Sequence, residues 1–271
     1  MSATGPAFLK GHGTENDFVV ILDPDGTHGL TSTQVCDLCD RRRGLGADGV
    51  LRAVPGESGW FMDYRNADGS VAEMCGNGAR LFALALRDAG LVAEATFPIE
   101  TRGGVRTATV EDSAVTVSMG RATSVDVVAE VRTERGTWSA TPVWVPNPHA
   151  VTWVDALDDA GSLTEPPSVT PADVYPEGVN VEFVVGLSDH HIALRVHERG
   201  VGETRSCGTG AVAAAWAWRR RTGRPDASIE VDVPGGTVHV TEHADGELDL
   251  RGPAVIVGRG TIDARWWKEH A

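Results

Sequence analysis

Two stretches of the chain alternate between apolar and polar residues around short turns. They are "GGVRTATVEDSAVTVSM" (103–119) and "GGTVHVTEHADGELDL" (235–250), with turns at Asp112-Ser113 and Asp245-Gly246. A period of two around such turns predicts β-hairpins, each beginning at a Gly-Gly pair. Strands followed by turns are also predicted for "GWFMDYRNADG" (59–69) and "HIALRVHERGVG" (191–202).

Two further stretches predict helices that begin beside a cysteine. They are "AEMCGNGARLFALAL" (72–86) and "RSCGTGAVAAAWAW" (205–218), in which a Cys-Gly-x-Gly-Ala signature opens an apolar run. A third helix is predicted in "TSTQVCDLCDRRRG" (31–44), because it carries a capping signal and places Val35, Leu38 and Cys39 on one face.

The two cysteine signatures mark an internal duplication. Cys207 lies 132 positions after Cys75 (207 minus 75), and the same offset superimposes Gly103-Gly104 on Gly235-Gly236 without a gap. We therefore predict an α+β fold of two pseudosymmetric halves, each a mainly antiparallel sheet wrapped around a central helix, with an active site in the cleft between them. The expected halves are 1–121 plus 262–271, carrying Cys75, and 122–261, carrying Cys207. The Pro-rich segment 139–178 is expected to form strands and loops early in the second half.

Composition narrows the possible partners. A net charge of −14 argues against nucleic acid, and the basic run Arg219–Arg221 falls where it complements a helix C-terminus. No apolar run approaches the ~20 residues that span a bilayer, and the N-terminus lacks a signal pattern, so we expect a cytoplasmic protein without membrane contact. Four cysteines are too few for a disulfide scaffold, and we interpret the Cys36-x-x-Cys39 pair as core residues.

A cysteine at a helix N-terminus has specific chemistry. The unpaired N–H groups and the partial positive charge there favour a thiolate and bind anions such as a carboxylate. Two such sites facing one substrate would let one thiolate remove the proton beside a carboxylate while the other thiol returns a proton to the opposite face. We expect neither a cofactor nor a metal, since no dinucleotide fingerprint, P-loop or Schiff-base lysine is evident. The alternative, that both cysteines are only small core residues, stays open at this level.

The chain resembles the diaminopimelate epimerases, cofactor-independent epimerases of lysine and peptidoglycan precursor biosynthesis. The resemblance rests on "GHGTENDFVV", "NADGSVAEMCGNGAR", "VPNPHAV", "GVNVEFV" and "ERGVGETRSCGTGA", and it spans nearly the whole chain. It implies conversion of LL-2,6-diaminopimelate to the meso form by a homodimer. It also implies that Cys75 is the proton donor and Cys207 the acceptor in the forward direction, with the roles exchanged in reverse.

The resemblance also implies the roles of the remaining site residues. His149 and Glu198 match positions that tune the thiols. The positions that match substrate contacts are Asn16, Asn66, Asn147, Asn180, Glu198 and Arg199, with a carboxylate cradle at Gly76, Asn77, Gly208 and Thr209. Arg199 offers a bidentate fork for a distal carboxylate, and the Asn amides offer donors and acceptors. Gly49 departs from the pattern, because many family members carry Gln there.

Other functions remain as alternatives. A racemase of the same fold acting on another amino acid is one, and a thiol–disulfide protein using Cys75 and Cys207 is another. A Cys–His hydrolase built on His149 would not need Cys207, and a non-catalytic amino-acid-binding module would bind its ligand without exchanging solvent deuterium into it.

Overall fold

The computed structural model describes residues 5–223 and 228–270. They divide into two compact units, Met1–Val117 with Pro253–Ala271, and Ser118–Gly252. This division differs from the expected one at two places: residues 118–121 belong to the second unit, and residues 253–261, which include the strand at 255–261, belong to the first unit. The reason is pairing: this strand forms an antiparallel ladder with the first strand of the chain, at Ala7 to His12.

The strands are short, and most end in tight turns. In chain order they are β1 (Ala7–Gly13), β2 (Asn16–Leu22), β3 (Gly49–Pro55), β4 (Trp60–Asn66), β5 (Thr96–Thr101), β6 (Gly104–Val110), β7 (Val115–Arg121), β8 (Ala129–Arg132), β9 (Thr137–Val145), β10 (Asn147–Trp153), β11 (Ser168–Thr170), β12 (Asn180–Ser188), β13 (His191–Glu198), β14 (Gly202–Thr204), β15 (Ile229–Val233), β16 (Gly236–Glu242), β17 (Glu247–Gly252) and β18 (Val255–Thr261). The α-helices are α1 (Ser32–Cys39), α2 (Gly76–Asp88), α3 (Gly208–Thr222) and α4 (Ala264–Glu269), and short 3-10 turns lie at Leu157–Ala160 and Ala172–Val174.

The sheet of the first unit has the strand order β18-β1-β2-β3-β4-β5-β6-β7. Its pairs are antiparallel except β2 with β3 and β4 with β5, which are parallel. Parallel neighbours need a crossover connection. Here α1 lies between β2 and β3 in sequence, and α2 lies between β4 and β5.

The second unit repeats this order as β8-β9-β10-β12-β13-β15-β16-β17. Again only the third and fifth pairs of this series, β10 with β12 and β13 with β15, are parallel. The equivalence matches β2 with β10, β3 with β12, and β4 with β13. The α+β fold of two duplicated, mainly antiparallel units predicted from the cysteine offset is therefore confirmed.

Each unit packs its sheet around one helix. Helix α2 contacts β1, β2, β3, β6 and β18, and α3 contacts β9, β10, β12, β13, β15, β16 and β17. Both helices can be surrounded because they are built from small and apolar residues; α3 buries Ala211 to Ala215 almost completely. Helix α3 ends where Gly223 adopts a left-handed conformation with φ 67°.

Helix α1 forms as its sequence predicts. Thr31 caps it, and its side chain and that of Gln34 form a reciprocal capping box. Val35, Leu38 and Cys39 are buried in one apolar cluster of the first unit. Burial raises the pKa of the Cys39 thiol to about 12, which is the behaviour of an inert core cysteine. No helix in the described part of the chain is long and apolar enough to cross a membrane.

Candidate active site

Cys75 and Cys207 occupy the same structural position in the two units. Each is the N-cap residue of its helix, with extended backbone angles of φ −140°, ψ 121° and φ −117°, ψ 114°. Each sulfur accepts a hydrogen bond of 3.4 Å from a glycine N–H in the first turn, Gly78 or Gly210. The thiol takes the place that a Ser or Asp oxygen takes in an ordinary N-cap. The first turns also hold the predicted cradle residues Gly76, Asn77, Gly208 and Thr209, where a helix leaves N–H groups unpaired.

The strand equivalence brings most of the other predicted residues to matching positions. Asn16 and Asn147 begin the equivalent strands β2 and β10, and Asn66 and Glu198 end β4 and β13. Two residues after each Asn, the chain pairs with the first residue of the parallel neighbour: Phe18 with Gly49, and His149 with Asn180. Asn16 and Asn147 therefore occupy equivalent positions in the two units.

In the first unit, Asn16 lies at the centre of the contacts around Cys75. The Cys75 thiol donates to Asn16 Oδ1 at 3.6 Å, and Asn77 Nδ2 donates to the same oxygen at 3.3 Å. Asn16 Nδ2 in turn donates to Asp48 at 2.9 Å. Asn16 and Asn77 are thus held directly at the thiol.

Asn66 has a turn contact, since its Nδ2 donates to Ser70 Oγ at 3.0 Å. Gly49 is enclosed by backbone: a Cβ there would lie 2.6 Å from the carbonyl oxygen of Arg65 and 2.9 Å from the ring of Tyr64. A Gln, which the resemblance leads us to expect at this position, does not fit in this backbone without a shift.

In the second unit, Cys207 is surrounded by polar groups. Its sulfur lies 3.4 Å from Thr209 Oγ1, and its thiol is hydrogen-bonded with the carboxyl of Glu198. Glu198 also accepts a hydrogen bond from Thr204 Oγ1. Glu198, which the resemblance matches to a position that tunes the thiols, thus lies at the Cys207 sulfur.

His149 is buried and held from both ring nitrogens. Nδ1 lies 2.6 Å from Glu182 Oε1, and Nε2 lies 3.0 Å from Asn147 Oδ1. Glu182 is the partner that sequence reasoning missed, although it stands inside the quoted "GVNVEFV". The signal was available as a charged residue within an apolar strand. Glu182 is 0% exposed, and its Oε2 has no hydrogen-bond partner among the described residues.

The Asn180 side chain is hydrogen-bonded to the backbone of Pro148 and of one other predicted residue, Arg199. Its Nδ2 donates to the carbonyl of Pro148, and its Oδ1 accepts from the backbone N–H of Arg199 at 3.0 Å. The Arg199 guanidinium is exposed and donates to the carbonyl of Glu177 at 2.9 Å. It is therefore accessible to a ligand, whereas Asn180 mainly positions the loop that carries it.

A helix N-terminus by itself lowers the pKa of a cysteine placed there, but the pKa of Cys207 is shifted in the opposite direction. Burial raises the pKa of the Cys207 thiol well above its usual value, and the charges of Glu198 and Glu182 raise it further. Hydrogen bonds from Thr209 and from the Gly210 N–H act in the opposite direction without reversing the shift. Burial likewise raises the pKa of Glu198, against the hydrogen bonds from Thr204 and Cys207 and the charge of His149. The helix N-terminus alone does not make Cys207 a thiolate, since burial and nearby acids outweigh it.

One group of possible metal ligands lies elsewhere in the second unit. His191, Glu230 and Asp232 place their ligand atoms within 4.8 Å of one another. The contacts between them are those of a partly exposed ion-pair cluster: His191 Nε2 lies 2.7 Å from Asp232, which also accepts from Thr237. None of them is a predicted site residue.

The architecture is shared with solved structures of low sequence identity. A phenazine biosynthesis protein of the PhzF family from Bacillus anthracis superimposes with a TM-score of 0.70 at 17% identity, covering 97% of this chain and 99% of that one. A hydroxyproline epimerase from Agrobacterium vitis gives a TM-score of 0.70 at 17% identity, covering 95% of this chain and 93% of that one. The chain therefore has the same fold of two duplicated units as these solved structures.

Comparison of the amino-acid sequence with known proteins identifies the family to which the chain belongs. The profile of the diaminopimelate epimerase family matches residues 8–125 and again residues 143–260, once in each half. A diaminopimelate epimerase from Streptomyces coelicolor is 53% identical, covering 97% of this chain and 98% of that protein. Those from Rhodococcus jostii and Thermobifida fusca are each 46% identical, covering 96% and 94% of this chain and 98% and 97% of theirs. The chain belongs to the diaminopimelate epimerase family, and the resemblance noted in its sequence is confirmed.

Proposed function

We propose that the protein converts LL-2,6-diaminopimelate to meso-diaminopimelate, and the reverse, by transferring protons between the α-carbon and two cysteines. The observation that carries the proposal is the repeated placement of Cys75 and Cys207 as N-caps with the same glycine contact, in a member of this family. The reaction belongs to the synthesis of lysine and of peptidoglycan precursors.

The chemistry requires one base and one acid. The thiolate of one cysteine removes the α-proton, so the C–H bond breaks and its electron pair passes toward the carboxylate. The thiol of the other cysteine then donates its proton to the opposite face of the carbon. Both cysteines end in the other protonation state, and exchange with water restores them. The first-turn N–H groups at Gly76-Asn77 and Gly208-Thr209 stabilise the negative charge that builds on the carboxylate.

The remaining residues serve binding and control. We assign His149 and Glu198 to tuning the pKa of the Cys207 thiol. Glu198 is hydrogen-bonded to this thiol, and His149 is hydrogen-bonded to the nearby Glu182. We assign the distal carboxylate of the substrate to Arg199, whose guanidinium is accessible. Asn16, Asn66, Asn147 and Asn180 contact or position the ammonium and carboxylate groups. We further propose a cytoplasmic homodimer; the four cysteines form no disulfide in the described structure, which fits a reducing compartment and supports the first part of this proposal.

The experiment follows deuterium at the α-carbon of LL-diaminopimelate in deuterated water. We expect Cys75→Ala and Cys207→Ala each to abolish net inversion, because each face needs its own proton carrier, a loss of about 10²-fold or more. Cys36→Ala is the matched control, since this cysteine belongs to the first unit but not to the site, and it should retain wild-type rates.

The same assay separates the alternatives. Inversion at wild-type rates in either catalytic Ala variant would contradict the two-base mechanism, and full activity of Cys207→Ser would favour the hydrolase. Faster exchange into another amino acid would identify a racemase of different specificity. Binding without any exchange would identify a binding module, and turnover with a thiol reductant alone would identify a redox protein.

A further inference from the structure

Glu182 is a buried carboxylate that the proposed proton transfer does not use. It lies on β12 and is 0% exposed. Its Oε1 is 2.6 Å from His149 Nδ1, and its Oε2 has no hydrogen-bond partner in the part of the chain that the structure describes. A carboxylate that gives up its hydration for so few partners costs free energy. Stability alone therefore does not explain why an acid stands at this position.

The duplicated first unit shows that the fold does not need a polar pair here. The parallel pairing of β2 with β3 and of β10 with β12 sets the equivalent positions in the two units. Phe18 stands where the second unit has His149, and Leu51 stands where it has Glu182. Phe18 and Leu51 are both 0% exposed. Since apolar residues of similar volume often replace a buried ion pair without loss of stability, the acid and the histidine are retained for another reason.

The Glu182 carboxylate packs against the first turn of α3, beside Cys207. A Cβ on Gly210 would lie 2.6 Å from Glu182 Oε1 and 3.3 Å from Cys207 Cβ. The Gly210 N–H also donates to the Cys207 sulfur at 3.4 Å. In the first unit, a Cβ on the equivalent Gly78 would meet only the apolar pair and the cysteine. The polar pair therefore stands at the helix that carries one of the two proposed proton carriers.

The carboxylate determines which nitrogen of His149 carries a proton. An ionised carboxylate can only accept a hydrogen bond, so the Nδ1 that faces Glu182 must be the donor. The other nitrogen, Nε2, lies 3.0 Å from Asn147 Oδ1. An Asn amide offers both a donor and an acceptor, so Asn147 can bond to Nε2 in either protonation state of that nitrogen. The ring thus turns toward Asn147 the nitrogen whose proton is free to change.

We propose that Glu182 is a positioning residue that keeps a proton on Nδ1 of His149 and so holds the ring with Nε2 toward Asn147. The inference rests on the proposed function, in which Asn147 serves substrate binding and His149 tunes the Cys207 thiol. Glu182 acts on the reaction through His149. It does for this histidine what the buried Asp does for the histidine of a serine-protease triad, where it fixes the tautomer and the orientation of the ring.

Other titratable groups near the pair have different partners. The Glu198 carboxyl accepts from Thr204 Oγ1 and is hydrogen-bonded with the Cys207 thiol. The Tyr175 hydroxyl donates to the backbone carbonyl of His149 at 3.3 Å, which holds the backbone and not the ring. Within residues 5–223 and 228–270, Glu182 is the one hydrogen-bond partner of the Nδ1 atom. The position of the ring proton therefore depends on this carboxylate.

The first test observes the ring proton directly by NMR of protein labelled with ¹⁵N-histidine. The signals of His149 are those that are missing from His149→Phe. In wild type we expect a proton on Nδ1. In Glu182→Leu the proton should move to Nε2, because Asn147 Oδ1 is then the acceptor that remains beside the ring. Glu230→Leu is the matched control: Glu230 lies 3.3 Å from His191 in the same unit but is partly exposed, and its loss should leave the His149 signals and the inversion rate unchanged.

The second test is a double-mutant cycle on the inversion rate. Glu182→Leu, His149→Phe and the double variant are compared with wild type, each at its own pH optimum. We expect Glu182→Leu to lower kcat about tenfold or more, with a smaller change in KM. The double variant should be no slower than His149→Phe alone, because Glu182 acts through His149. It should also fold, since it carries the apolar pair of the first unit.

Several results would overturn the proposal. They are a wild-type His149 without a proton on Nδ1, a folded Glu182→Leu that keeps this proton or an unchanged kcat, and losses of kcat that multiply in the double variant. If Glu182→Leu does not fold, a protonated Nδ1 in wild type together with a folded double variant supports the inference, and either an unprotonated Nδ1 or an unfolded double variant overturns it. Because the NMR signals do not depend on the substrate, a wild type that fails to invert LL-diaminopimelate would refute the proposed function separately.

Discussion

The two glycines whose N–H groups donate to the cysteine sulfurs should differ sharply in their tolerance of substitution by alanine. Gly78 and Gly210 stand at the same place in the first turns of α2 and α3, and each N–H donates to its cysteine. A Cβ on Gly210 would lie 2.6 Å from Glu182 Oε1 and 3.3 Å from Cys207 Cβ. A Cβ on Gly78 would lie 3.3 Å from Leu51 and 3.4 Å from Phe18, which are close contacts that small side-chain movements relieve.

The magnitude follows from what the Glu182 carboxylate must do to make room. It is buried and bonded to His149 at 2.6 Å, so it cannot move from the new methyl group without loosening that bond. Overpacking of this kind costs about 1–3 kcal/mol. The same change at Gly78 adds the better helix propensity of alanine, worth up to about 1 kcal/mol, which offsets its tighter contacts.

The assay compares Gly210→Ala and Gly78→Ala with wild type by thermal unfolding and by the inversion rate. We expect Gly210→Ala to lower the melting temperature by roughly 2–10 °C and to reduce turnover, because a displaced Glu182 changes the charge near Cys207. Gly78→Ala should remain within about 2 °C of wild type. Equal losses in both variants, or a tolerated Gly210→Ala, would refute the argument that the carboxylate is fixed in place.

Three further outcomes are expected. Glu182→Gln removes a charge that raises the pKa of Cys207, so the pH profile of kcat/KM should move toward lower pH; an unmoved profile would contradict this. Burial opposes ionisation of Asp17, but hydrogen bonds from Arg41 and Lys10 outweigh it and lower its pKa to about 2, below its unfolded value of 3.8. Its contribution, below about 2 kcal/mol because water screens this partly exposed pair, is present above that unfolded value and is lost as the pH falls toward 2. Urea unfolding of wild type should therefore lose stability over this range, and Asp17→Asn should lose less. Gly49→Gln should destabilise the protein by about 1–3 kcal/mol in the same assay, because the new Cβ meets the Arg65 carbonyl, and a stable variant would show that the backbone there shifts easily.

The sequence by itself determined the features that depend on local signals and on repetition. The offset between Cys75 and Cys207 identified the duplication, and the Gly-Gly pairs with alternating residues located the hairpins. The capping residues of α1 located that helix, because N-cap hydrogen bonds involve only residues close along the chain. The family motifs named residues that lie close to the thiols, since those motifs stand at strand ends and helix starts.

Only the tertiary structure decided which charges surround each thiol. Glu182 is one charged residue in an apolar strand, and its burial beside Cys207 gives its charge an effect on the pKa of that thiol. The raised pKa of Cys207 also comes from burial and from acids on β12 and β13, far away along the chain, against the local effect of the helix N-terminus. The unit to which β18 belongs was likewise set by its pairing with β1, a contact between opposite ends of the chain. Electrostatics and strand pairing act through space, and periodicity and capping act along the chain, so the sequence predicts the elements and the candidate residues but not the balance of charge between the two cysteines.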